Sequence, residues 1–332
     1  MATTKTKAMK KRSERKPRKQ YAGVVDIGTK SARADLYNGN GSRRISHHTF
    51  DNKDLVTVNS NGEAQINMNR VSNLCDWIGA TFRFFQDICT NKHGAFFLKH
   101  AVATEILRQL NENDRQRVVQ RFQDVLDLEL RIITGAEEVS LYAKAALPVI
   151  PKPFDESGFV VAHLGHGSFD IAYANKDGEI VSSRTSHYGL LNRSDAVDAV
   201  VYEAIEEMRT DGIHMAARIC LCGSALRDFM SALRREPYPG SKTTTSNSDA
   251  PILIKREEFL NRCEPLQRIW HLGNTDSFYC YQLLGALVES LPRMRSLIVA
   301  PDGMRQVLAR ELIENRVMPM SNGGLVLSSL AA

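Results

Sequence analysis

The chain has no apolar run approaching the roughly 20 residues that a membrane-spanning helix needs, so a helical membrane protein is excluded. Its N-terminus has no apolar signal-peptide core, and a cytoplasmic protein is expected. There is no Cys-x-x-Cys. The six cysteines are scattered, with Cys220 and Cys222 the one close pair, which excludes a zinc framework and a disulfide scaffold and leaves reduced thiols. Acidic residues are scarce at the start: residues 1–20 hold nine Lys/Arg and only Glu14. That arm is +8 in a chain of +5 overall, so the remainder is −3. The arm has no apolar periodicity either, and is expected to be disordered. It suits contact with a polyanion such as nucleic acid, polyphosphate or an anionic surface, or it is a targeting or solubilising extension.

What is present starts with residues 24–37. An apolar run leads to Asp26, a turn at Gly28 carries Thr29, Lys30 and Ser31, and a second run leads away through Ala34 and Leu36, which predicts a hairpin. A glycine turn lets backbone N–H groups approach an anion, and Lys30 and Ser31 add a charge and a hydroxyl. Asp26 stands at the strand end, where a carboxylate can hold a metal ion or a water.

Residues 158–178 repeat the pattern without a gap up to the tip. Gly165 falls on Gly28, Ser168 on Ser31 and His163 on Asp26. Two like hairpins in 332 residues predict two like domains facing each other across a cleft, each offering a glycine loop to one ligand.

Between and after the hairpins, strands alternate with helices, which gives the α/β class. Met68, Val71, Leu74, Ile78, Phe82, Phe85 and Cys89 recur at helical spacing. A helix over 114–126 turns Val118, Phe122 and Val125 inward, and one with Ser194 as N-cap buries Val197, Val201, Ile205 and Met208. Strand 218–222 leads through Gly223 and Ser224 into a helix. Residues 236–251, rich in Pro, Gly, Ser and Thr, predict a flexible loop. At Thr134-Gly-Ala-Glu137 a capping box gives Glu137 a structural task, but Glu138 has none. Either Glu138 answers the helix dipole, or it is a general base aimed into the cleft.

These residues carry a resemblance. The chain resembles the exopolyphosphatase and guanosine pentaphosphate phosphatase family, of the actin, sugar kinase and Hsp70 superfamily, over about residues 22–310. Asp26-Ile-Gly-Thr-Lys-Ser-Ala-Arg33 is similar to the family's first phosphate motif, and His163-Leu-Gly-His-Gly-Ser-Phe-Asp170 to its second. Ala103-Thr-Glu-Ile-Leu-Arg108, Ile133-Thr-Gly-Ala-Glu-Glu138 and Val299-Ala-Pro-Asp-Gly-Met-Arg305 resemble three further segments, in the family's order.

The resemblance implies two actin-like (ribonuclease H-like) domains with mixed sheets flanked by helices. The expected division is an arm 1–20, a first domain 21–135 rejoined by a helix 302–316, a second domain 136–301, and a tail 317–332. It implies release of terminal phosphate from polyphosphate or a guanosine penta/tetraphosphate, with Glu138 activating water. Gly28, Thr29, Lys30, Ser31, Arg33, Arg108, Gly165, His166, Gly167 and Ser168 would hold the phosphates. Asp26, Asp170 and His163 would stand near Mg2+ or Mn2+, with no organic cofactor, and a homodimer is left open. The chain departs from the family at the second loop, where the family Asp is His163, a glycine is His166, the Thr is Phe169 and the Glu is Asp170. Imidazole suits Zn, Mn or Fe better than Mg, while the other reading makes His163 and His166 loop residues or phosphate donors. The loss of the second-loop carboxylate points to an alternative function, a catalytically degenerate sensor of phosphorylated ligands. A more remote one is an ATP-dependent kinase on the same fold, which requires an adenine pocket near Gly223 and Ser224 and a catalytic Asp.

Overall fold

The computed structural model describes residues 20–317 apart from 62, 94, 152–156, 236–250, 274 and 301–302. The expected basic arm before Gln20, the loop at 236–250 and the tail from 318 lie outside the described residues.

The first hairpin forms as its pattern dictates, with β1 (Gln20–Ile27) antiparallel to β2 (Ser31–Tyr37). β3 (Arg44–Asp51) extends it, and a small hairpin of β4 (Val56–Val58) and β5 (Ala64–Ile66) leads into α1 (Met68–His93). β6 (Phe96–Ala103) then lies parallel to β1, followed by α2 (Glu105–Arg108), α3 (Glu112–Leu126) and β7 (Leu130–Ile132). The resulting mixed sheet has the order β3-β2-β1-β6-β7. Asn111 caps α3 by accepting from Asp114 N, and Asp127, left-handed at φ 47°, ends it. One expectation changes within it. Val125 is 40% exposed, and Leu126 takes the inward place at the last turn.

Thr134 opens α4 (Gly135–Ala146) with the full capping box, its hydroxyl accepting from Glu137 N while the Glu137 carboxylate accepts from Thr134 N. The second hairpin, β8 (Phe159–Leu164) and β9 (Phe169–Ala174), follows with β10 (Ile180–Ser186). α5 (Val197–Glu207) starts later than the sequence suggests. Ser194 accepts from Ala196 N in a turn ahead of the helix and does not cap it. β11 (Arg218–Cys222) and α6 (Ser224–Arg235) precede β12 (Ile252–Lys255), a strand the composition of its surroundings conceals. α7 (Arg256–Gly273), α8 (Thr275–Ser290), β13 (Ser296–Val299) and α9 (Met304–Val317) complete the chain. The second sheet has the order β10-β9-β8-β11-β13-β12.

Three apolar clusters order these parts into layers. One packs α1 and α3 against the first sheet through Ile78, Phe85 and Phe122. Another packs α5, α6 and α8 against the second through Val201, Phe229 and Leu284. The third lies between the sheets, where α4 and α9 meet strands of both: Val24 and Val102 from the first, Val161 and Ala172 from the second. Small residues make this central layer thin, with Ala143, Ala146 and Ala309 all buried. β8 and β9 are covered on both faces, so every residue in them is buried rather than alternately so. α4 therefore carries its first turn into the space between the two hairpin tips.

Candidate active site

The two tips close in the same way: Gly28 N donates to Ser31 O at 3.1 Å and Gly165 N donates to Ser168 O at 2.9 Å. These two amides are thus spent inside the turns and do not point at an anion, contrary to the simplest nest. What glycine does for the site is clearest at Gly167, where a Cβ would stand 2.5 Å from Thr29 Oγ1 and 3.1 Å from Glu105 Cγ. The second loop touches the first domain there, and only a hydrogen fits. Two hydrogen bonds join the same two halves: Arg33 Nη2 to Ser224 Oγ at 3.2 Å and His187 Nδ1 to Glu105 Oε1 at 3.0 Å.

The tips enclose a cavity of about 90 Å³. Asp26, Gly28, Thr29, Lys30, Ser31 and Arg33 line it from the first hairpin, and His163, Gly165, His166, Gly167 and Ser168 from the second, with Glu138 and Tyr142 from α4 and Arg305 from α9. It adjoins a larger cavity of about 840 Å³ that shares Lys30, Ser31, Arg33 and His166 and is walled further on by Leu190, Phe229 and Asp228. Two expected phosphate or metal residues, Arg108 and Asp170, do not line the small cavity. Each stands one layer behind. Arg108 Nη1 donates to Glu138 Oε2 at 3.0 Å and to Ile133 O at 3.1 Å, and its Nε donates to Glu105 Oε2 at 3.0 Å. Its guanidinium thus holds Glu138 and Glu105 together. Asp170, fully buried, accepts from His163 Nδ1 at 3.0 Å and from Ser168 Oγ at 3.2 Å on the same oxygen, Oδ2, while Oδ1 is buried without a partner.

Glu138 is 3% exposed. Burial pushes its carboxyl up to about 7, against the pull of His163 and Arg108 and with the repulsion of Asp170 adding to the rise. Burial alone would depress the His163 imidazole, but its bond to Asp170 and the Glu138 charge outweigh that and raise it. His166 goes the other way, lowered by burial and by Lys30 and Arg33.

Four residues in this arrangement were given no role by the sequence reading: Tyr142, Arg305, Asp35 and Glu105. Tyr142 stacks on His163, with ring centroids 4.3 Å apart, and its hydroxyl lies 3.1 Å from Nε2. Its position one helical turn after Glu138 on the same face of α4 was a usable signal. Arg305 donates to Asp26 Oδ2 at 3.0 Å and to the fully buried Asp35 at 2.5 Å. His47 lies 2.5 Å from the other oxygen of Asp35, and the two partners overcome burial to hold that carboxyl at about 2. Glu105 bridges the halves through His187 and Arg108. Glu105 and Arg305 stand in the quoted segments 103–108 and 299–305, but no local pattern shows that Glu105 meets His187, or that Arg305 meets Asp26 and Asp35, because those partners lie far away in the chain.

Among the described residues no helix is long and apolar enough to cross a membrane. No protein-family model matches the chain, and no curated protein matches it by sequence. Solved structures do resemble it. A Ppx/GppA family member from Aquifex aeolicus matches with a TM-score of 0.65 at 15% identity, covering 90% of this chain and 99% of that one. An exopolyphosphatase from Cytophaga hutchinsonii matches at 0.59 with 13% identity, over 89% and 98% of the two chains. An exopolyphosphatase-like protein matches at 0.61 with 12% identity, over 90% and 100%. In topology, extent and layering, this chain thus has the fold of the Ppx/GppA exopolyphosphatases.

Proposed function

We propose that the chain is a phosphohydrolase of the exopolyphosphatase and guanosine pentaphosphate phosphatase family, releasing the terminal phosphate of a phosphoanhydride. The observation that carries this reading is Glu138, a buried carboxylate with a pKa near 7, held by Arg108 at the floor of a cavity walled by both glycine loops. A pure binder has no use for a charged group buried at that cost. The substrate classes are inorganic polyphosphate, which the similar structures support by name, and guanosine penta/tetraphosphate. The terminal phosphate occupies the small cavity and the rest of the molecule the larger one.

The chemistry divides among the residues accordingly. Lys30 and Arg33 offset the charge of the phosphate oxygens, and the hydroxyls of Thr29, Ser31 and Ser168 fix their positions. Glu138 takes the proton of a water as its oxygen attacks phosphorus, and the bond to the leaving phosphate oxygen breaks. Arg108, through its three acceptors, keeps the Glu138 oxygen turned to the cavity. This supports a hydrolase over a sensor, since a sensor needs the cationic wall but not Glu138. Phosphate release from polyphosphate and from guanosine pentaphosphate tests it. Glu138→Gln is expected to lose about 10²- to 10⁴-fold in turnover with ligand affinity kept. Equal turnover in the variant sinks the assignment.

A further inference from the structure

The fold family implies a divalent ion beside the second loop, and Glu138, His163 and Asp170 do offer one ligand atom each within 4.8 Å of one another. Their chemistry disagrees with such an ion. Magnesium asks for about six oxygens at roughly 2.0–2.1 Å in octahedral array. Here an imidazole stands where the family has a carboxylate, and its Nδ1 lies 3.0 Å from Asp170 Oδ2 and 3.8 Å from Glu138 Oε1. That nitrogen occupies the place where an ion shared by the two carboxylates would sit.

Neither ring nitrogen is open to a metal. Nδ1 donates to Asp170, and Nε2 faces the Tyr142 hydroxyl at 3.1 Å. Because the Asp170 carboxylate can only accept, Nδ1 carries the hydrogen in the neutral and the charged ring alike, and the Tyr142 hydroxyl meets Nε2. The ring is also wedged. Tyr142 covers one face, and at Gly223, with φ 95°, a Cβ would come within 3.1 Å of His163 Cδ2. The remaining carboxylates have donors too: Asp26 accepts from Arg305 and Glu138 from Arg108, both at 3.0 Å. One oxygen of each carboxylate, Asp26 Oδ1, Glu138 Oε1 and Asp170 Oδ1, is left without a hydrogen bond, but the His163 ring already lies within 3.8 Å of Glu138 Oε1 and is bonded to Asp170 Oδ2, in the space between those two acids.

We propose that His163 stands in for the divalent ion, so that this site binds and holds phosphate without a metal. The inference rests on the phosphate site proposed above but not on turnover.

The test uses the full chain, inorganic phosphate as the probe, and thermal stabilisation and calorimetric binding as readouts. The chain is stripped with a chelator and then given magnesium, manganese or zinc in turn. The apparent phosphate affinity is expected to change by less than about twofold among these conditions. In His163→Asp, which restores a carboxylate, magnesium is expected to tighten phosphate binding about tenfold or more. Phosphate binding by the unaltered chain that is lost on chelation and restored by a metal overturns the proposal. Should His163→Asp fail to fold, manganese titrated into the unaltered chain decides. A stoichiometric site that couples to phosphate overturns the proposal, and no such site supports it. Phosphate binding that ignores metals in a chain with no turnover supports metal independence while refuting the hydrolase. No phosphate binding in any condition refutes the cradle and this inference together.

Discussion

The two hairpins superimpose in sequence and in hydrogen bonding, yet their charges run in opposite directions. In the first, the acid Asp26 ends the inner strand, opposite the base Arg33. In the second, the base His163 ends the strand and the acid Asp170 lies opposite. The second pair is self-contained, because His163 bonds Asp170 directly. The first is not: Asp26 takes its partner, Arg305, from α9, which lies 279 residues away. One scaffold therefore serves two ways of stabilising a carboxylate at a strand end. Where the partner is in register, the hairpin is complete in itself. Where it is remote, the hairpin depends on the whole fold.

The sharpest way to break this comparison is to remove the remote partner. Arg305→Met leaves the buried Asp35 with His47 and the Tyr37 hydroxyl but no full positive charge held against it, and frees Asp26, so a loss on the order of 3 kcal/mol is expected in denaturant unfolding. A loss below about 1 kcal/mol would mean that the first hairpin supports its own charges.

Next in size is the glycine contrast. Gly167→Ala forces a methyl to within 2.5 Å of Thr29 Oγ1, and about 1–3 kcal/mol of strain is expected, relieved in the double variant with Thr29→Ala. At Gly28 the nearest atom to a new Cβ is Ser31 O at 3.5 Å, so Gly28→Ala is expected to cost less than about 0.5 kcal/mol. Equal losses at the two positions would remove the claim that the loops meet at Gly167. Phosphate affinity then adds a separate reading, because a weakened affinity in a stable Gly28→Ala chain marks how near the ligand comes.

Acid and base responses separate the same two regions. Asp35 is depressed to about 2 in the fold, so its contribution is present above the ordinary carboxylate range and is lost as pH falls through about 2. Glu138 is raised to about 7, and only its ionised form takes a proton, so turnover is expected to rise with pH through about 7. A profile flat between pH 6 and 8 would contradict a base with that pKa. The smallest effect belongs to the helix that carries Glu138. Thr134→Ala removes the cap and is expected to cost about 1 kcal/mol, read by thermal unfolding, with the turnover of the folded protein little changed.

Much of this protein was legible in its sequence, and the reason is locality. Hairpins, amphipathic helices and the Thr134–Glu137 capping box depend on neighbours within a few residues, so the order of residues determines them. The repeat of the glycine turns pointed to two facing sheets, and the surplus of Glu138 beside a capped Glu137 pointed to the cleft. Where the local signal was thin, it misled. Ser194 had the chemistry of a cap but sat two residues too early, and Val125 lay at helical spacing but is 40% exposed.

What the tertiary structure alone decided is partnership. The sequence put Arg108 and Asp170 among the phosphate and metal residues, and packing set them one layer back, gripping Glu138 and His163. It gave no sign that Arg305 would hold Asp26, that Tyr142 would stack on His163, or that Gly167 would press on Thr29. The physical reason is that a buried charge or donor must find a partner in three dimensions, and chains of many lengths can bring that partner to the same place. The residues of the site were therefore largely written in the sequence, whereas which of them neutralises which was fixed only when α4 and α9 closed between the two sheets.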